Sequence, residues 1–114
     1  VAQSEVNFIV NDPETGKRVV RTRETNLGDF CADAYRTLLG ADIAFVNGGG
    51  VRANIESGDI TYGQIINVHP FGNEACLVKV TGQQILDALE LGAIPPGFRS
   101  HIRDRHYRSF PRSP

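Results

Sequence analysis

An α/β (α+β) domain, built as a mixed sheet with packed helices, is what this sequence predicts, and three observations carry the prediction. Polar and apolar residues alternate over residues 5–10, apolar residues recur at helical spacing from Leu27 to Leu38, and a nearly continuous apolar run fills residues 41–46. Alternation is the period of a half-buried strand, and spacing of three to four is that of an amphipathic helix. A short apolar run beginning just after a glycine reads as a buried strand. Elements that interleave in this way assemble layered domains of mixed class.

Residues 5–10 run into Asn11, Asp12, Pro13, Glu14, Thr15 and Gly16, a cluster of turn formers, and residues 17–22 make the return arm. A hairpin is therefore expected, with Val6, Phe8 and Val10 on one face and a turn longer than the two-residue type. Asn26 stands where a helix N-cap belongs, followed by Leu27, Phe30, Cys31, Ala34 and Leu38, with Asp29 in the first turn and Gly40 past the end. The apolar run after Gly40 is too short for a second helix, and as a strand it delivers Asn47 and three glycines at its carboxyl end. Thr61 caps a brief helix expected to run to Val68 and stop at Pro70. Residues 75–80 read as another strand, and Thr81 starts a helix with Ile85, Leu86 and Leu89 facing inward and Gly92 closing it.

With 114 residues, 40% apolar and 22% charged, the chain has the composition of one folded domain with one core. No apolar run approaches the roughly 18 residues that cross a bilayer, and no basic-then-apolar leader follows Val1. A chain that starts without Met is expected to be a processed product or an excised piece. Charge divides unevenly: residues 1–98 hold 7 Lys and Arg against 12 Asp and Glu, a balance of −5, and residues 99–114 hold 5 Arg against Asp104, a balance of +4. The expected division is a domain over residues 1–92 and a basic, irregular tail over residues 93–114, either solvated or an arm that touches an acidic surface or nucleic acid. Cys31 and Cys76 lack any CxxC or Cys/His spacing for zinc; each sits in an apolar pattern and reads as a small buried hydrophobe, with a disulfide as the alternative.

Three clusters carry chemistry. Asn47, Gly48, Gly49, Gly50, Val51 and Arg52 follow directly on a buried strand. Consecutive glycines cost backbone entropy and serve where a chain turns sharply or lets a ligand approach its amides. Arg52 adds a cationic fork suited to phosphate or ribose oxygens. The run has neither the Lys-Ser/Thr ending of a Walker loop nor GxGxxG spacing, so a plain loop is its bland alternative. Arg21 and Arg23, two apart on a segment expected to be extended, point to one side next to a helix N-terminus, or else form a solvated face with Glu24 as partner. His69, Pro70, Phe71, Gly72 and Asn73 make a braced connection in which Phe71 stacks on a planar ring and Asn73 meets base edges, or Phe71 is simply core.

Taken together, "RTRETNLGDFCADAYR", "ADIAFVNGGGVRANIESGDITYGQIINVHPFGN" and "CLVKVTGQQILDALELG" resemble the C-terminal, substrate-binding domain of the 5'-nucleotidase family, which includes UDP-sugar hydrolases and 2',3'-cyclic nucleotide phosphodiesterases. The match covers roughly residues 5–92 and rests on "ETNLGD", "NGGGVR", "GDITYGQ" and "HPFGN" standing together in order. The resemblance implies that Arg21, Arg23 and Arg52 grip the phosphate and ribose side, that Asn47, Gly49 and Gly50 line the pocket, that Phe71 stacks on the base and that Asn73 meets its edge. It implies a nucleoside 5'-monophosphate or related nucleotide as ligand. It also implies a metallophosphatase domain N-terminal to this one as partner, carrying a divalent metal pair, and a periplasmic, cell-surface or secreted location. It makes no metal ligand of His69, His101 or His106, and it predicts that this chain alone hydrolyses nothing.

The chain departs from the family after Leu91, where further strands and a second base-stacking aromatic are expected and "AIPPGFRSHIRDRHYRSFPRSP" stands instead. Loss of one stacking partner and a ribose contact weakens binding by about 2 to 4 kcal/mol, or roughly 30-fold to 1000-fold. A non-catalytic nucleotidase-like binding or scaffolding module is the alternative reading. Nucleic-acid binding through the Arg tail is a third, marked by salt-dependent affinity that residues 99–114 supply.

Overall fold

The computed structural model describes the backbone of residues 1–93 and 100–104 and the side chains of residues 1–91. In chain order the elements are β1 (Ala2–Ser4), α1 (Asn26–Leu39), β2 (Ile43–Asn47), a 3-10 turn (Gly48–Gly50), β3 (Gly58–Ile60), α2 (Tyr62–Val68), α3 (Gly82–Ala93) and β4 (Ser100–Asp104). Helices and strands interleave as the sequence predicts. The described strands pair in two antiparallel two-stranded sheets, β1 with β3 and β2 with β4, rather than in one mixed sheet.

Helix α1 forms where apolar periodicity demands it, but its N-cap is Thr25 and not Asn26: the Thr25 hydroxyl accepts the Gly28 N–H at 3.2 Å. Asn26 has a different task. Its Oδ1 accepts the Ile9 N–H at 2.9 Å and its Nδ2 donates to the Asn7 carbonyl at 2.8 Å, which straps the N-terminal segment to the start of α1. Gly40 closes the helix in the left-handed region, φ 63°, as expected of the glycine after the last periodic residue. Leu27, Cys31 and Ala32 face a core completed by Val10, Val20, Val46, Val51, Ile55 and Val68. α2 begins with a reciprocal capping box between Thr61 and Gln64, and the same exchange joins Thr81 to Gln84 ahead of α3.

Several expectations are corrected. The N-terminal hairpin is short: an Asn11–Arg18 bridge, flanked by Asp12 N–H to Lys17 O at 2.8 Å and Val19 N–H to Val10 O at 2.9 Å, with Gly16 at φ 69° in the turn, while Phe8, earlier in the expected strand, bridges to Ile55 instead. Val10 is buried, Phe8 partly so, and Val6 is exposed. Residues 75–80 form no strand. An apolar pattern becomes a strand only when another strand takes its hydrogen bonds, and here the segment instead shares with β2 and Tyr35 the lining of a cleft of about 790 Å³. Leu77, Val78 and Val80 are consequently exposed, as is Cys76, so only Cys31 is the buried hydrophobe both cysteines were expected to be. Leu86 is exposed, while Ile85 and Leu89 are partly covered, and α3 runs through Gly92 to Ala93. The tail expected to be irregular contributes β4, which pairs with β2 from Asn47↔Ser100 to Ile43↔Asp104. His101 takes part in that ladder through its backbone; His106 lies outside the described residues.

Candidate functional site

The buried Val46 anchors β2 in the core, and the chain leaves that strand directly into the three glycines. Asn47 caps the turn: its Oδ1 accepts the Gly49 N–H at 3.0 Å, so one side-chain acceptor is committed to shaping the loop. The turn ends at Val51, fully buried, whose N–H reaches Gly48 O at 3.4 Å. Arg52 follows, and its own N–H donates to the Val68 carbonyl at 2.9 Å. That bond fastens the glycine turn to the end of α2, which is why residues 69–73 arrive beside it.

The consequence is a meeting of the first and third clusters. The Arg52 guanidinium carbon lies 5.9 Å from the centroid of the Phe71 ring, within the range of a cation–π contact, and its Nη1 donates to Gly49 O at 3.4 Å. Phe71 is 52% exposed, so it is not the core residue of the bland reading and its ring remains open to a second planar group. Asn73, His69, Asn47 and Gly50 line the adjoining cleft. His69 caps the end of α2 and packs its ring 5.8 Å from that of Tyr35. Burial depresses its pKa, opposed by a hydrogen bond to the Gly50 backbone, and its Nε2 is buried without a partner among the described residues.

The second cluster divides. Arg21 lies along the glycine turn, so close that a methyl on Gly49 would stand 3.1 Å from its Nη2 and 3.2 Å from its Nε. A side chain at Gly49 would require the arginine to give way by a few tenths of an ångström. Arg23 goes the other way, forming a 2.9 Å ion pair with Asp12 and not with Glu24. The expected extended segment is a turn instead, in which the N–H groups of Thr22 and Arg23 both donate to Val19 O at 2.8 Å, and a turn sends residues two apart in different directions. The Thr15 and Glu14 amides, helped by Arg23, hold the Asp12 carboxylate below its ordinary pKa.

One residue beside the glycine turn escaped the sequence reading. Arg18 donates from Nη2 to Val51 O at 2.5 Å and from Nη1 to Arg52 O at 3.5 Å. Burial first, then repulsion from Arg52 and Arg21, lowers its pKa. Lys17 and Arg18 look alike in a polar return arm, and no local signal separates them. Thus Arg18, Arg21 and Arg52 gather around one glycine turn, while the ion pairs described in the chain engage Arg23 and Arg36. Such a set, with an open aromatic face beside it, is chemically suited to an anion attached to a planar ring.

Comparison with known proteins places the chain in a family. Residues 1–110 match the family model described as "5'-nucleotidase, C-terminal domain". The chain is 42% identical over 98 residues to a 5'-nucleotidase of Vibrio parahaemolyticus, covering 82% of this chain and 18% of that protein. It is 53% identical over 77 residues to the trifunctional nucleotide phosphoesterase protein YfkN of Bacillus subtilis, covering 64% of this chain and 5% of that protein. Among solved structures, a 5'-nucleotidase precursor from Thermus thermophilus superposes with a TM-score of 0.69 at 32% identity, over 90% of this chain and 21% of that one. The chain therefore spans about a fifth or less of the length of these relatives.

Proposed function

The chain belongs to the 5'-nucleotidase C-terminal domain family, and on that premise we propose that it is the nucleotide-recognition part of a metal-dependent 5'-nucleotidase acting on nucleoside 5'-phosphates. The observation that carries the proposal is the Arg52–Phe71 contact beside the glycine turn, in which a guanidinium chemically suited to phosphate stands next to an exposed aromatic ring. In this reading Arg21 and Arg52 hold the phosphate and ribose side, Phe71 stacks on the base, and Asn47 and Asn73 face its edges from the cleft. Arg23 acts at a distance, through its hold on the turn that contains Asp12.

Hydrolysis belongs, in the same reading, to a metallophosphatase domain N-terminal to this one, where a divalent metal pair polarises the phosphate and lowers the pKa of water. Among the described residues no three of His, Cys, Asp and Glu gather as metal ligands, so the groups seen here do not fit a metal pair. This chain's share is to bind and orient. Export to the periplasm, cell surface or medium is part of the proposal, supported by the description of the Thermus protein as a precursor.

Titration of the 114-residue chain with AMP, adenosine and inorganic phosphate, followed by backbone amide NMR, tests the reading. AMP is expected to shift the amides of residues 48–52 and 71–73, with weak affinity, and no phosphate is expected to be released in the presence of Mg²⁺, Mn²⁺ or Zn²⁺. Absence of AMP binding, or metal-dependent release of phosphate by the purified chain, overturns it.

A further inference from the structure

We infer that Arg18 is a positioning residue of this site: its guanidinium clamps the carbonyls of Val51 and Arg52 and thereby sets the direction in which the Arg52 side chain leaves the backbone. The functional consequence rests on the nucleotide-binding reading above; the geometry does not. The Arg52 Cα lies between two peptide planes. The first, joining residues 51 and 52, is held at its N–H by Val68 O at 2.9 Å and at its carbonyl by Arg18 Nη2 at 2.5 Å. The second, joining residues 52 and 53, meets Arg18 Nη1 at its carbonyl at 3.5 Å. With the first plane held at both its N–H and its carbonyl, and the second met by the other arm of the same guanidinium at 3.5 Å, the Cα–Cβ direction of Arg52 is restricted, and the side chain stands where it reaches Gly49 O and the Phe71 ring.

A planar fork that spans two successive carbonyls is a geometry that arginine offers and lysine, a point donor on a flexible stem, does not. The fork is held in place against partial burial and against the charges of Arg52 and Arg21. An anion entering between the arginines relieves that repulsion, so Arg18 also favours a doubly charged phosphate over the uncharged nucleoside.

The test uses Arg18→Met and Arg18→Lys in the 114-residue chain. Lys17→Met is the control, because it removes a neighbouring cation whose side chain makes no hydrogen bond or ion pair among the described residues. In the ligand-free proteins, the Nε–H signal of Arg52 and the amides of residues 48–51 are expected to move in both Arg18 variants and to stay in place in the control, with thermal midpoints unchanged. With AMP, Arg18→Met is expected to bind about tenfold more weakly and Arg18→Lys to fall between it and the wild type, while adenosine affinity is unaltered. Should the Met variant lose stability, the Lys variant alone decides. An Arg52 Nε–H signal that ignores both substitutions overturns the positioning role, and an unchanged AMP affinity overturns its consequence for binding. If the wild type itself does not bind AMP, the nucleotide reading fails, and the Arg52 signal still decides whether Arg18 positions it.

Discussion

The guanidinium carbon of Arg52 stands 5.9 Å from the centre of the Phe71 ring, although the whole of α2 lies between them in the chain. The Arg52 N–H bond to Val68 O brings them together, because it ties the residue after the glycine turn to the last residue of the helix. A nucleotide laid across this pair would meet cation and aromatic surface at once, and this gives the pocket an order in which its parts can be tested separately.

Replacing the ring tests the base side. Phe71→Ala is expected to weaken AMP and adenosine alike by about 1–3 kcal/mol, the usual worth of one base–aromatic stack, and to leave inorganic phosphate unaffected. Calorimetric titration of the three ligands checks this, and equal AMP affinity in the variant would remove Phe71 from the site.

Gly49 tests the anion side without touching a charge. In Gly49→Ala the new methyl meets the far end of the Arg21 side chain at 3.1 Å, which swings aside more cheaply than backbone does. Stability is therefore expected to change by less than about 1 kcal/mol in thermal melts, while AMP and phosphate bind several-fold more weakly. Gly50→Ala, where a methyl meets nothing within 4 Å, is the comparison and is expected to be milder in binding.

The two cysteines are expected to differ in reactivity. Burial pushes the Cys31 thiol up to about 11, whereas Cys76 is exposed. At about pH 8 a thiol reagent should modify Cys76 in the folded chain and Cys31 only on unfolding, as peptide mass mapping will report. Because the folded state keeps Cys31 protonated while the unfolded state loses the proton near pH 9, its effect is fully stabilising below that pH. Stability then falls as pH rises toward 11, a slope that should flatten in Cys31→Ala.

Gly40 carries a purely conformational role. Its φ of 63° is left-handed, and a methyl there meets nothing within 4 Å, so Gly40→Ala costs backbone strain alone. Urea denaturation should show a loss of about 1 kcal/mol, with ligand affinity unchanged and Gly40→Asn less severe.

Local signals read well. The span of α1, the Thr61 cap of α2 and β2 leading into the glycines are legible because periodicity, caps and helix-ending glycine act within a few residues. Thr25 and Asn26 show the limit of that reading. Both are good N-cap residues, and only the Asn7–Ile9 segment, which needs the Asn26 carboxamide, decides which one caps. Cys76 and Leu86 show another limit, since apolar pattern states what a residue can bury and not whether anything covers it.

By itself, the sequence determined the helices, the glycine turn with Arg52 beyond it, and the family to which the chain belongs, all of them properties of short ordered motifs. Tertiary structure alone decided that Arg18 meets the carbonyls after the glycine turn, that Arg21 and Arg23 part company, that residues 75–80 form no strand among the described residues, and that Arg52 reaches Phe71. The first and last of those outcomes depend on hydrogen bonds or contacts between residues far apart in the chain, and such bonds form only when the whole fold brings donor and acceptor to the same place.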